Sequence, residues 1–418
     1  PFGTKFCDFP EMKFVNTTKS ASMINLASLD TILGEDLMGC FAKLRTENDI
    51  SWHQHPDSGN NGFWAFVKYK DINEIITDTK TFTNSEGIQV IFERDMPHAS
   101  QHSMLEMDPP EHSKYRKVVS SPFSPRGTSM LEPRIRNRVE TLLTGMEGCK
   151  KIDFLEEFAK PLPMTVFFDL MGVPETDHSR IMDLADRGFF AADPSFGGDQ
   201  HGLVEAGIEI QEYGRWLGEK RRHNPKDDLT SIIAQAQLDD RLLSLDELGA
   251  FFGLLGSAGA DTTRSALAYG LDALTNYPKQ KQLWLEDIDG HALKATDEII
   301  RWASPAYHMR RTATKNIEIR GRAIKKGDKI SVWFISGNHD EDVFDKPHDF
   351  NITRDPNPHI SFGLKGPHYC LGVHLAKLEV RIAFCELLRR FPAIESTGPI
   401  TRLRSNFVNS PSTMSAHL

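Results

Sequence analysis

A mainly α-helical protein with small β-sheets, of the α+β class, is what this sequence predicts. Helical spacing of apolar residues dominates from about residue 111 to residue 302 and returns after residue 370. The longest apolar stretch opens on Ser244-Leu-Asp-Glu247, where a serine and a glutamate three residues on form a capping box. That helix is expected to reach about Leu274, roughly 45 Å at 1.5 Å per residue. Strand-like segments are short and scattered.

Taken in order, Asp36–Lys43 predicts a short helix after an extended leader. The aromatic run Gly62–Lys70 predicts a strand, paired in a hairpin with Ile50–His53. Periodicity then fails from Ser85 to Met107, and a loop of that length inside a compact protein is usually functional. Asp108-Pro-Pro-Glu111 starts a helix, with proline tolerated in its first turn. Helices are expected at about 127–146, 154–171 (closed by Gly172 and Pro174), 177–190, 207–222 and 296–302. Strands are expected at Ala306–Thr312 and Lys329–Phe334. A last helix from about Cys370 to Arg390 precedes a β-rich tail.

The 418 residues are 39% hydrophobic and 26% charged, which describes a folded globular chain rather than a disordered one. Length alone suggests two or three domains, yet no linker separates them. The net charge of −9, with lysine and arginine spread throughout, argues against a nucleic-acid partner. Five scattered cysteines (Cys7, Cys40, Cys149, Cys370, Cys385) are not a disulfide framework and suit a reducing, cytoplasmic compartment. No apolar run has the length of a membrane span, and neither a signal peptide nor a membrane anchor is expected.

Chemistry concentrates in His359–Glu379. Cys370 lies among Gly363, Gly366 and Gly372, where bare backbone lets something large and flat approach. Leu371, Leu375, Leu378 and Ile382 follow at helical spacing. A sulfur at a helix N-terminus is favoured as thiolate by the peptide dipoles, and a thiolate can serve as an axial ligand to haem iron. Two other readings stand beside this one. Cys370 could be a packing residue, or His359, His368, Cys370 and His374 could hold zinc, although no paired ligand spacing occurs.

On the long helix, Gly249, Gly253, Gly256 and Ala260 form one face without side chains. Each interior glycine costs roughly 1 kcal/mol against alanine. Close packing against another helix or a flat cofactor across that face would account for it. Next comes Ala258-Gly-Ala-Asp-Thr-Thr263, where a threonine hydroxyl can bond back to a carbonyl and bend the helix, making room for a small ligand. Glu298 and Arg301, at i and i+3, can reach one another. Taken alone they read as an exposed pair of little consequence.

Together these pieces resemble the cytochrome P-450 family of haem-thiolate monooxygenases, in its soluble bacterial form, over about Phe63–Phe407. Phe362-Gly363…Gly366-x-His368-x-Cys370-x-Gly372 is similar to the haem-ligand loop, Ala258–Thr263 to the oxygen-activation motif, and Glu298-x-x-Arg301 to the buried ion pair. The resemblance implies one domain over residues 1–418 with the cytochrome P-450 fold, a long central distal helix and a proximal cysteine-ligand loop. It implies haem b with Cys370 as axial thiolate. His112, Arg116, Arg311 and His368 fall where the family binds the propionates, Ala258, Gly259, Phe362, Gly363 and Gly372 against the ring, and Asp261 and Thr262 where protons reach oxygen. Phe362 stands eight residues before Cys370, one more than usual, so an extra residue near Leu364-Lys365 must be accommodated. The longer loop and the tail Arg402–Phe407 resemble the branch that oxidises sterol side chains and acyclic terpenoids. Asp349 stands where an arginine usually completes the ion-pair network, and Arg354 is the candidate substitute.

No flavin or nicotinamide fingerprint appears, so electrons are expected from a separate ferredoxin with its ferredoxin reductase and NAD(P)H. Lys114, Lys117, Lys365 and Lys377 surround the docking face in the implied fold. O2 and a hydrophobic small molecule are the implied substrates, the latter a terpenoid such as a monoterpene alcohol or a sterol side chain. Phe92, Phe189, Phe190, Ala306, Met309 and Val408 line the pocket by family position. A haem-thiolate isomerase, a peroxygenase and a non-catalytic haem sensor or carrier are the alternatives.

Overall fold

The computed structural model describes residues 24–55, 62–90, 103–190 and 200–418. Its axis is a helix over Leu245–Asn276, opened by the capping box. Ser244 Oγ accepts from the Glu247 N–H, and the Glu247 carboxylate accepts from the Ser244 N–H. At 32 residues it spans about 48 Å. Against it pack the helices Gln200–His223, Pro161–Met171, Ile288–Ala303 and Val373–Arg390. Leu267, Leu271 and Leu274 of the central helix are buried with Phe384, Leu387 and Leu388 of the last helix and Ile299 and Ile300 of the helix before it. Burying such side chains stabilises by roughly 1.5–3 kcal/mol each.

The expected helices are present with shifted ends and breaks. The 127–146 segment is two helices, Pro125–Ser129 and Glu132–Met146, since Pro133 starts the second. The 154–171 segment begins as a π-turn over Leu155–Ala159 and becomes α-helical at Pro161, closing on Gly172 in the left-handed conformation. The predicted strand Gly62–Lys70 stops at Phe66, and a helix over Tyr69–Thr77 takes over. No helix among the described residues is long and apolar enough to cross a membrane.

The main sheet has five strands: Ile50–Gln54, Gly62–Phe66, Lys329–Trp333, His308–Ala313 and Phe82–Thr83, in that spatial order. Ile50–Gln54 and Gly62–Phe66 form the expected hairpin, Ile50 opposite Phe66 and Gln54 opposite Gly62. Gly62–Phe66 then runs parallel to Lys329–Trp333, the sheet's parallel pair. The tail strands Glu395–Arg402 and Pro411–His417 pair with Lys151–Asp153 in a second sheet.

Candidate functional site

Between the central helix and the 359–372 loop lies a cavity of about 280 Å³, lined mostly by apolar side chains. From the Glu111–Val119 helix, His112 and Arg116 enter one turn apart on the same face. Met309 and Arg311 alternate from the His308–Ala313 strand and both line the cavity. His368, Cys370 and Gly372 come from the loop, and Ala258, Gly259, Thr262 and Thr263 from the central helix.

The loop accommodates its extra residue. Cys370 N–H donates to the Phe362 carbonyl at 3.0 Å, Gly363 turns at φ +75°, and Leu364 points its bulk into the cavity wall. Glycine suits that positive φ. The last helix starts at Val373, with Gly372 as its N-cap, two residues beyond Cys370. Burial pushes the Cys370 thiol up, against the Gly372 N–H and the Arg116 guanidinium, which favour thiolate. Desolvation thus outweighs the helix terminus invoked from sequence, and thiolate needs a bound metal, which deprotonates a coordinating thiol outright.

The residues present fit a haem. A Cβ at Gly259, Gly363 or Gly372 would meet nothing within 4 Å, so the cavity stays open along all three. His112 Nδ1 and His368 Nε2 are buried without a hydrogen-bond partner, their rings 4.1 Å apart. Burial lowers His112 to about 4 and His368 to about 3, so both are neutral at pH 7. Burial also lowers Arg311 to about 10 and depresses Arg116, neither of which forms a salt bridge among the described residues. Two desolvated cations and two orphaned ring nitrogens at one edge of an apolar cavity are complementary to a pair of carboxylates.

The glycine face is not where a flat group lies. A Cβ on Gly249 would stand 2.7 Å from the Gln211 carbonyl oxygen and one on Gly256 3.1 Å from the Phe167 ring, so this stripe serves close helix packing. The cavity is lined instead by Leu255, Ala258, Gly259, Thr262 and Ala266, about a quarter turn around the helix. The expected back-bond is present, Thr262 Oγ1 donating to the Ala258 carbonyl at 2.7 Å within a helix that is continuous over Leu245–Asn276.

Asp261 faces away from Thr262, into a separate cavity of about 10 Å³ with Lys160, Asp186 and Arg264, room for about one water. Arg264 Nη2 lies 3.0 Å from its carboxylate. Burial raises Asp261 to about 6, with Arg264 opposing. Lys160 bridges Asp186 at 2.8 Å and Glu156 at 2.5 Å, and both carboxylates reach the surface.

Glu298 and Arg301 are fully buried, which sets aside the exposed-pair reading. Arg301 donates to both Glu298 oxygens at 2.8 and 2.9 Å. Arg354 Nε joins at 3.1 Å, while Asp349 offers only its backbone carbonyl.

Ala306 and Met309 line the cavity. Val408 is not among the lining residues and forms a backbone bridge with Ala306, which is. Phe189 and Phe190 end the His178–Phe190 helix, their side chains outside the described set, and Phe92 lies outside the described residues. Met104, at the end of the Ser85–Met104 loop expected to line the pocket, does so, whereas sequence reasoning missed Asn84, Ser361 and Glu379. A helical stripe through Leu375, Ala376 and Glu379 was the one available signal. No three His, Cys, Asp or Glu side chains converge as a metal site among the described residues, and His359 is engaged at 3.8 Å by Asp297 instead.

The family model described as "Cytochrome P450" matches residues 207–416. The chain is 38% identical over 402 residues to a methyl-branched lipid omega-hydroxylase of Mycobacterium tuberculosis, covering 94% of each. It is 32% identical over 377 residues to a steroid C26-monooxygenase of Mycolicibacterium smegmatis, covering 88% of this chain and 87% of the other. The structure of Mycobacterium marinum cytochrome P450 CYP268A2 in complex with pseudoionone superposes with a TM-score of 0.89 at 34% identity, covering 96% and 100%. With the cavity, the cysteine loop and these likenesses together, the chain belongs to the cytochrome P450 family and is a haem b monooxygenase.

Proposed function

We propose that this monooxygenase hydroxylates the end of a methyl-branched, largely apolar chain, in the class of branched lipids, sterol side chains and acyclic terpenoids. The observation that carries this reading is the cavity wall. Leu254, Ala258, Pro305, Ala306 and Met309 present hydrocarbon around Thr262, with Asn84 among the few polar groups. A small side chain at Ala306 leaves room for a narrow chain end, and such pockets bind through apolar area with few orienting groups.

Cys370 is the residue to hold the iron, His112, Arg116, Arg311 and His368 the propionates. Haem supplies the reductive activation of O2 and insertion of one oxygen atom into a C–H bond. The chain's own task is protons. Asp261, raised to about 6, exchanges a proton readily near neutral pH. The small charged cavity beside it connects to Asp186 and Lys160 near solvent, and Thr262 presents its hydroxyl on the other side of the helix wall. Electrons come from a separate ferredoxin in the cytoplasm. Lys117 and Lys365 are exposed for such a partner, whereas Lys114 is held by Asp239 at 2.6 Å and Lys377 by Asp297 at 2.7 Å.

Methyl-branched fatty acids, side-chain steroids and acyclic terpenoids should shift the Soret band to the high-spin position, and the product should carry its hydroxyl on the terminal branched carbon. A hydroxyl placed only on ring carbons would overturn the reading.

Thr262→Ala should still bind substrate and accept electrons but lose coupling. Product per NAD(P)H consumed should fall by roughly tenfold or more, within the ~10²-fold or greater effect of a lost acid–base group, and hydrogen peroxide should replace it. Normal coupling in a well-folded variant would favour the peroxygenase alternative.

A further inference from the structure

Glu379 is a buried acid that the reaction above does not use. Gly372, Leu375, Ala376, Glu379 and Val380 form the stripe of the last helix that lines the haem cavity on the Cys370 side. Four of the five are glycine or apolar. Glu379 is 4% exposed, its Oε2 has no hydrogen-bond partner, and it forms no ion pair among the described residues. An ionised carboxylate in such a place is costly, and the group holds its proton instead. Burial raises Glu379 to about 8, and burial is the sole cause.

Charges on the helices packed against it are engaged elsewhere. From Ile288–Ala303, Asp297 pairs with Lys377, and Glu298 with Arg301 and Arg354. From Glu132–Met146, Glu132 pairs with Arg136 and Arg381. On the central helix Asp261 pairs with Arg264 and Asp272 bonds Ser396, while Arg126 of Pro125–Ser129 is exposed. Cys370, His112, His368, Arg116 and Arg311 share the cavity. None of these groups shifts Glu379.

We propose that Glu379 is a redox-linked proton site: at alkaline pH, where the ferric protein carries this group partly as carboxylate, one electron from the one-electron donor takes the haem iron from ferric to ferrous as one proton from solvent binds the Glu379 carboxylate to give the neutral acid. The added negative charge of the electron raises the carboxylate's proton affinity across a low-dielectric gap. By linkage, the protonated acid favours reduction to the same extent. The net charge of the buried region is then unchanged by the electron's arrival. Glu379 acts on the iron's potential without touching the reacting atoms, as a positioning charge.

This rests on Cys370 being the iron ligand, which the red-shifted Soret band of the reduced carbon-monoxide complex tests separately on the same sample. Spectroelectrochemical titration of the haem-loaded protein should show a midpoint potential that falls as pH rises through the window around 8 and levels off on either side. Glu379→Gln, whose neutral amide mimics the protonated acid, should hold a high potential that is flat through that window. An unchanged slope in Glu379→Gln would place the proton elsewhere, on a propionate for example, and overturn the proposal. The redox difference infrared spectrum of the unmodified protein near pH 8 gives a second reading that needs no variant. A carboxylic-acid C=O band gained on reduction is expected, and its absence would overturn the proposal too.

Discussion

Glu298→Ala is expected to leave little folded, haem-loaded protein. The Glu298 carboxylate is the acceptor for Arg301, Arg354, the Asn357 side chain and the Asn351 N–H, all at 3.3 Å or closer. Arg301 in turn donates to the carbonyls of Asn338 and Pro347 at 2.9 and 3.0 Å, and Arg354 to that of Asp345 at 2.7 Å. One carboxylate therefore neutralises two guanidiniums that bind the 338–349 segment to the Ile288–Ala303 helix. Its removal leaves both charges buried and uncompensated, at about 3–5 kcal/mol. That is a large share of a typical stability of about 5–15 kcal/mol. Urea unfolding and the ratio of haem to protein absorbance would report the loss, with Glu298→Gln expected to fall between. A stable, fully loaded alanine variant would show that the network is dispensable.

Cys370→His is expected to abolish the red-shifted Soret band of the reduced carbon-monoxide complex, because imidazole donates less electron density to iron than thiolate does. Cys385→Ala is the control. Cys385 is buried in the apolar packing of the last helix, its sulfur 4.0 Å from the Ile288 carbonyl, and its loss costs packing only. Retention of the shifted band in Cys370→His would remove Cys370 from the iron.

The site's local pieces were readable because each is written in neighbouring residues. The capping box at Ser244, the glycine-flanked cysteine and the i, i+3 spacing of Glu298 and Arg301 all lie within one or two turns. What could not be read locally depends on partners far along the chain. The strand at Gly62 stops at Phe66 because Asp340 accepts from the Tyr69 N–H at 2.8 Å and pairs with Lys68, capping a helix that the aromatic run conceals. The glycine stripe was visible, but whether Gln211 or a cofactor covers it is a tertiary fact. Glu379 looks like one more polar residue in an amphipathic helix until the cavity beneath it is known. Its burial carries a pH dependence of its own. A carboxyl raised to about 8 stays protonated in the folded chain while the unfolded chain ionises near 4.5, so it withdraws stability as pH rises across that interval.

The order in which the main sheet is assembled also has a bearing on how the chain is made. Gly62–Phe66 pairs with Lys329–Trp333, and Arg45 is held by Glu341 at 2.7 Å, so both find these partners only in residues 329–341. During synthesis the Ile50–Phe66 hairpin emerges early and must wait, with one edge unpaired, for residues beyond 329 to leave the ribosome. Contacts of such long sequence separation slow folding, and an exposed strand edge on a nascent chain invites aggregation. Expression at low temperature, or with a chaperone that shields nascent strands, is therefore the condition under which this enzyme should be recovered in quantity.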